Sequence, residues 1–160
     1  FFVKETNDRL AVYHSSVDMV ADCRLYFSDL SITVRNFLNS VIYMLFTETD
    51  VRAGLGLGAR SIMVYEANNQ KIIKPSVISS LNREFKELNS RKIKSIFKEC
   101  GIDPELGVPI AEQEPDPLPD RAELDTIVFD ALELTEEERK DVYRAVCQLV
   151  WNRISKAKSV

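Results

Sequence analysis

The most regular pattern of apolar and polar positions runs from Ser31 to Glu66 and predicts a helix, a glycine-rich hinge and a strand. Apolar residues recur at spacings of three and four, so they share one face of a helix over residues 31–50: Val34, Phe37, Leu38, Val41, Ile42, Leu45 and Phe46. Ser31 is suited to cap this helix, because its hydroxyl can accept from a free amide of the first turn. The helix should end before Gly54, and residues 61–65 should form a strand.

The N-terminal half contains two more candidate strands and a second helix. Residues 9–15 and 20–28 are rich in strand-forming side chains, so they predict two strands of a small sheet that the first helix covers. Residues 76–100 predict a helix with an apolar face, although Asn89 and Ser90 are a weak point at which it could divide into two shorter helices. Gly101 is suited to the left-handed position just after its end.

Two capped helices are predicted at the C-terminal end. Residues 101–119 are rich in proline and acidic residues and predict an extended linker. Asp120 with Glu123 resembles a helix start, and Thr135 with Glu138 forms a capping box, in which side chain and backbone satisfy each other.

These elements predict an α+β fold, in which a small β-sheet with a buried helix is followed by a mostly α-helical C-terminal half. We expect residues 1–100 to form the core, 101–119 to be the linker, and 120–160 to form a helical pair packed on the core. The chain does not begin with Met, so we expect it to be a fragment of a larger protein.

Charge is distributed unevenly along the chain. Residues 1–98 carry 14 Lys/Arg against 10 Asp/Glu, whereas residues 99–160 carry 7 against 15, within a net charge of −4. The basic half could face nucleic acid, and the acidic half would be repelled by phosphates. The alternative is that the basic excess is an ordinary solvated surface.

The composition also argues against several classes of protein. No apolar run approaches the roughly 20 residues that span a bilayer. The three cysteines are far apart, which argues against a disulfide framework and favours a reducing cytoplasm. With one histidine and no CxxC pair, we expect no metal site.

The glycine triplet Gly54, Gly56 and Gly58 lies between two arginines, Arg52 and Arg60. A dinucleotide fingerprint follows a strand and opens a helix, whereas this loop follows a predicted helix and opens a strand. One interpretation is a loop whose backbone approaches a DNA duplex while the arginines hold phosphates or a base edge. The other is a plain hinge between helix and strand.

No catalytic constellation emerges from the remaining polar residues. His14 lacks a nucleophile and a supporting acid, so a structural role in a strand is the simpler interpretation. The aspartates Asp18, Asp22 and Asp29 match no metal-binding loop. Trp151 could stack on a base, but on an amphipathic helix it is more often a core residue.

Three segments, taken in order, resemble the C-terminal region of adenine-N6 DNA methylases of the large restriction–modification type, including type IIG fusions. The first is VADCRLYF at 20–27, followed closely by FLNSVI at 37–42. The second is GLGLGARSIMVYE at 54–66, and the third runs from LELTEEERKDVYRAV at 132–146 to the end. Their order is more specific than any one of them.

The resemblance implies that this chain is the DNA-recognition part of such an enzyme, cut away from the catalytic domain. In these enzymes the catalytic domain binds S-adenosylmethionine and methylates a flipped adenine, so the fragment itself would bind double-stranded DNA without transferring a methyl group. Its partners would be the duplex and the catalytic domain, and it would need no cofactor of its own.

The first residues expected at DNA are those of the glycine loop, followed by two further arginines and the histidine: Arg52, Gly54, Gly56, Gly58, Arg60, Arg9, Arg24 and His14. The alternative function is a helical module that docks onto the rest of a larger enzyme without touching DNA, which the acidic half favours. A stand-alone hydrolase using His14 is a third, weaker hypothesis.

Overall fold

The computed structural model describes residues 2–15, 17–18, 20, 22–26, 28–51 and 58–158, and it confirms an α+β fold with a helical C-terminal half. The strands are β1 (Phe2–Val3), β2 (Glu5–Thr6), β3 (Leu25–Tyr26) and β4 (Arg60–Ser61). The helices are α1 (Ile32–Phe37), α2 (Val41–Asp50), α3 (Val64–Asn68), α4 (Lys86–Ser90), α5 (Ile96–Cys100), α6 (Pro119–Ala131) and α7 (Glu136–Lys158), with 3₁₀ turns at Ser79–Leu81 and Ile110–Glu112.

The strands are shorter than the sequence predicts, and they form two separate antiparallel pairs. β1 pairs with β3, and β2 pairs with β4 so that Thr6 lies opposite Arg60. The predicted strand at 9–15 is wrong, because these residues are irregular apart from a single bridge at Val12. The predicted strand at 61–65 is also wrong beyond Ser61, because the Glu66 carboxylate accepts from the Met63 amide (2.9 Å) and starts α3.

The predicted helix over 31–50 is interrupted at residues 38–40, although Ser31 caps its start as expected, accepting from the Val34 amide at 3.4 Å. The Ser40 hydroxyl accepts from the Tyr43 amide (3.3 Å) and so caps α2. The Asn39 side chain accepts from the Val12 amide (3.0 Å) and donates to the Val12 carbonyl (2.9 Å). Short polar side chains compete with helical hydrogen bonds in this way, so they break the helix and attach the N-terminal segment.

Of the two alternatives for 76–100, the single helix is wrong. The 3₁₀ turn at Ser79–Leu81, α4 and α5 form there, and α4 ends at the predicted weak point, Ser90. Buried Asn36 donates to the carbonyls of Leu81 (2.8 Å) and Arg83 (2.9 Å), so α1 takes acceptors that a continuous helix would use internally. The end of this region does match: Gly101 has φ +65° and follows α5 in the left-handed conformation.

The C-terminal helices form as predicted, but only one of the two predicted caps is present. The Glu138 carboxylate accepts from the Thr135 amide (2.8 Å), and the Thr135 hydroxyl accepts from the Glu138 amide (3.4 Å). The Asp120 box is wrong, because α6 begins at Pro119 and the Asp120 carboxylate instead pairs with Arg91.

The core is one apolar cluster to which both halves of the chain contribute. Fully buried members include Phe37, Val41, Leu81, Leu124 and Val146. Residues 101–118 are held to this core by backbone bonds, since the amide of residue 116 donates to the carbonyl of residue 100 (3.1 Å) and that of residue 118 to residue 99 (3.0 Å). Within the described residues, no helix is long and apolar enough to cross a membrane.

Gly101 and Gly107 offer a matched test of this attachment. Both have positive φ, but a Cβ at Gly101 would collide with the backbone of Asp116, whereas one at Gly107 meets open space. We expect Gly107→Ala to lower the free energy of unfolding by about 1–2 kcal/mol through backbone strain, and Gly101→Ala by about 1–3 kcal/mol more, because the linker must move. Urea unfolding of both variants measures the difference, and equal losses would contradict the close approach.

Candidate nucleic-acid interface

The glycine loop is only partly described by the structure. Arg52, Gly54 and Gly56 lie outside the described residues, so their predicted role stays a prediction. Gly58 is buried with φ +69°, and a Cβ there would lie 3.1 Å from the Cα of Ile154 in α7. The far end of the loop is therefore packed against the C-terminal helix.

Arg60 lies inside the protein. Its side chain is 4 % exposed, its Nη2 lies 2.7 Å from the Glu48 carboxylate, and its Nη1 donates to the Val51 carbonyl. Arg153 of α7 pairs with the same carboxylate at 2.9 Å and donates to the Gly58 carbonyl. Arg60 thus ties the loop to α2, and its predicted contact with DNA stays a prediction.

Arg9 is likewise engaged in the interior. Its side chain is 6 % exposed, and Nε donates to the Glu99 carboxylate at 2.9 Å. Burial and the neighbouring Arg121 lower the pKa of Arg9 to about 10, so it remains cationic at neutral pH. This ion pair anchors the N-terminal segment to α5, and the predicted role of Arg9 at DNA stays a prediction.

Glu99 is the centre of this buried network. Arg121, fully buried in α6, donates to its carboxylate through Nε (3.1 Å) and Nη2 (2.6 Å), and Arg91 donates through Nη1 (3.0 Å). Three guanidinium groups therefore share one carboxylate, and Asp120 also pairs with Arg91. The network joins the N-terminal segment, the segment before α5, α5 and α6.

The Glu99 network extends to α2 through a second buried acid. Arg121 lies 3.6 Å from Asp125, one turn further along α6. The Asp125 carboxylate accepts from the Val41 amide (2.8 Å) and from the Tyr143 hydroxyl (3.3 Å). Burial, which outweighs Arg121, raises the pKa of Asp125.

The network predicts a specific loss of stability in acid. Burial alone would raise the pKa of Glu99, but the charges of Arg9 and Arg121 and the donated hydrogen bonds lower it from 4.5 to about 2. A carboxyl group whose pKa is lower in the folded than in the unfolded state stabilises the fold at pH values above the unfolded pKa. This contribution of about 3 kcal/mol is lost as the pH falls from 4.5 toward 2. We expect urea unfolding to show that the stability difference between wild type and Glu99→Gln shrinks over this range. Titration of Asp125 affects both proteins and so cancels in this difference. A stability difference that stays constant between pH 4.5 and 2 would contradict the lowered pKa of Glu99.

Of the predicted contacts that the structure describes, Arg24 and His14 lie at the surface. Arg24 immediately precedes β3, and its carbonyl accepts from the Lys4 amide at 2.7 Å. His14 lines a groove of about 530 Å³, which we call the arginine groove.

The arginine groove lies between the N-terminal segment, the α1–α2 junction and the segment around α4. Its lining residues are Arg9, Ala11, Val12, Tyr13, His14, Arg35, Asn39, Glu84, Leu88, Asn89, Arg91, Ile93 and Glu99. Arg35 pairs with Glu84 at 3.1 Å, so most charge inside the groove is compensated. His14, Tyr13 and Asn89 are exposed there, and all three carry hydrogen-bonding groups.

Uncompensated positive charge lies beside this groove. Residues 71–98 hold eight Lys/Arg against two Asp/Glu. Lys92 and Lys94 flank the lining residue Ile93, and Lys86 starts α4, which supplies Leu88 and Asn89. All three lysines are exposed, and none forms an ion pair with another described residue. We call Lys86, Lys92 and Lys94 the lysine rim.

The sequence pattern does not single out the lysine rim or Arg35. Lys92 and Lys94 fall within the helix predicted over 76–100, whereas α5 begins only at Ile96. The usable signal was the concentration of basic residues between 71 and 98.

The other candidate chemistry finds no support in the geometry. Within the described residues, no group of three or more His, Cys, Asp or Glu side chains is placed to hold a metal ion. Asp18 and Asp29 line a neighbouring cavity of about 370 Å³, which also contacts His14. The described cysteines, Cys23, Cys100 and Cys147, are all free thiols.

Comparisons with protein-family models, with curated proteins and with solved structures found no match to this chain. The resemblance of its three segments to DNA methylases therefore remains an interpretation of the residues themselves.

Proposed function

We propose that this chain is the DNA-recognition part of a DNA adenine methyltransferase or restriction–modification enzyme, and that it binds duplex DNA along the arginine groove and lysine rim. The observation that carries the proposal is the lysine rim beside a groove with hydrogen-bonding side chains. Its three exposed cations form no ion pair within the part of the chain that the structure describes. Phosphates are held by such cations, whereas sequence is distinguished by donors and acceptors that reach base edges.

The distribution of charge also favours the arginine groove and lysine rim as the DNA-binding surface. Arg9 and Arg91 belong to the Glu99 network, so they shape the groove wall and are neutralised by carboxylates. The lysine rim is left to attract phosphates. His14, Tyr13 and Asn89 are the proposed readers of base edges, with Arg24 at the nearby exposed turn before β3.

The resemblance supplies the rest of the proposal. A separate catalytic domain of the same protein would bind S-adenosylmethionine and flip the adenine. We assign no residue of this chain to that cofactor or to methyl transfer. The free cysteines support a cytoplasmic location, where such an enzyme would meet DNA.

A selection experiment tests the proposal directly. The chain is mixed with a pool of random duplexes, and the retained DNA is sequenced. We expect enrichment of one short motif, and a His14→Ala/Asn89→Ala variant should retain DNA with less enrichment, since base contacts specify while phosphate contacts position. Retention without enrichment would mean that the chain binds phosphates, but it would contradict sequence recognition by this chain alone. No retention would favour the alternative of a docking module without DNA contact.

A further inference from the structure

A second groove lies on the other side of α5, between the segment that follows this helix and the C-terminal part of α7. It has a volume of about 530 Å³. Its apolar wall consists of Phe97, Ile102, Trp151 and Ile154, and the rings of Phe97 and Trp151 meet edge to face with centroids 6.2 Å apart. We call it the tryptophan groove.

The polar edge of the tryptophan groove is acidic. Asp8, Asp103 and Glu105 line it, opposed by the single cation Lys98. The Asp103 carboxylate accepts from the Glu105 amide (2.9 Å), which fixes the turn that presents both acids. Among the described residues, none of these three carboxylates forms an ion pair.

We propose that the tryptophan groove binds a segment of a partner protein in which an apolar side chain is flanked by lysine or arginine. The apolar side chain would pack on Trp151 and Phe97, where burial of aromatic surface stabilises the complex. The flanking cations would meet Asp103 and Glu105, which form no ion pair with any other described residue. Duplex DNA does not suit this groove, because its phosphates would face an excess of carboxylates.

This inference is independent of DNA binding. The tryptophan groove and the arginine groove share no lining residue. A chain that binds DNA through one could still bind a basic partner segment through the other, and failure of either proposal leaves the other standing.

The chain contains one tryptophan, so the emission of Trp151 reports on the groove without a label. The probes are two synthetic amphipathic peptides with the same leucine face, one carrying lysine and the other glutamate at the remaining positions. We expect the lysine peptide to shift the Trp151 emission in a saturable way. The glutamate peptide should bind at least about tenfold more weakly, because like charges oppose each other at the rim.

The variant Asp103→Asn/Glu105→Gln tests the acidic edge without changing side-chain shape. Asparagine can still accept from the amide of residue 105, so the turn should be retained. We expect the affinity for the lysine peptide to fall about tenfold and to lose most of its salt dependence. The matched control is Glu136→Gln/Glu137→Gln, which removes the same charge about 20 Å away at the other end of α7. Circular dichroism would establish that both variants are folded.

Three results would overturn the proposal. Equal binding of the lysine and glutamate peptides would make the groove a merely apolar surface. An equal effect of the control variant would mean that net charge, not the groove, attracts the peptide. Concentration-dependent dimerisation that Asp103→Asn/Glu105→Gln abolishes would assign the groove to a second copy of this chain.

Discussion

Glu99→Gln is expected to lower the free energy of unfolding by about 3–5 kcal/mol, because it leaves Arg9, Arg91 and Arg121 without the carboxylate they share. Arg121 is fully buried and Arg9 nearly so, and neither can recover hydration without opening the core. For a chain of this size the loss corresponds to a fall in Tm of about 6–20 °C. Thermal and urea unfolding measure it at neutral pH.

Glu123→Gln is the matched control. Glu123 also receives a hydrogen bond from an arginine, Arg83, at 2.9 Å, but both side chains are about half exposed. Exposed pairs contribute only about 0–1 kcal/mol, since water solvates the partners when the pair is broken. If the two substitutions destabilise the protein equally, the Glu99 network is not what joins the N-terminal segment to α5 and α6.

The second large effect is expected at the lysine rim. Lys92→Gln/Lys94→Gln should weaken binding to duplex DNA by about tenfold or more, because each lysine is proposed to neutralise a phosphate. The plot of log affinity against log salt should become shallower by about 2, which is the counterion release of two contacts. Fluorescence anisotropy with a labelled duplex at several salt concentrations provides both values.

A control variant in the C-terminal half of the chain distinguishes direct DNA contact from an effect of net charge. Lys140→Gln/Lys156→Gln removes the same charge from α7, where Lys140 already pairs with Glu114 at 2.5 Å. This variant should bind DNA within about threefold of wild type, since screening weakens charges that do not touch the duplex. Equal losses in the two variants would remove the lysine rim from the proposed interface.

The features that could be predicted from the sequence are those fixed by near neighbours. The Thr135 and Glu138 cap depends on residues three apart, so its pattern alone was sufficient. The long apolar face of α7 and the left-handed Gly101 are local in the same sense. These elements confirmed the fold class.

The break in the first predicted helix and the loss of helix around Leu81 and Arg83 depend on distant partners. Asn39 ends the first helix while bonding to Val12, 27 positions away. Asn36 donates to carbonyls more than 40 positions away, within the region of the second predicted helix. A hydrophobic period does not contain such bonds, because they arise only when the segments meet.

The same reason explains why the sequence does not predict that Arg9 and Arg60 are buried. Arginine is usually exposed, and the burial of Arg9 depends on Glu99, which lies 90 positions further along the chain. One local signal was available for the network. Arg121 and Asp125 fall on the same helical stripe as Leu124 and Val128, and charged residues at core positions of a helix indicate a buried ion pair.

A salt titration of this chain binding to duplex DNA is the most direct test of a DNA-recognition surface. The proposed function predicts measurable binding at low salt, with affinity that falls steeply as salt rises, by a slope of about −0.9 for each phosphate held. Absence of binding at low salt, or an affinity that does not change with salt, would contradict a DNA-recognition surface on this chain.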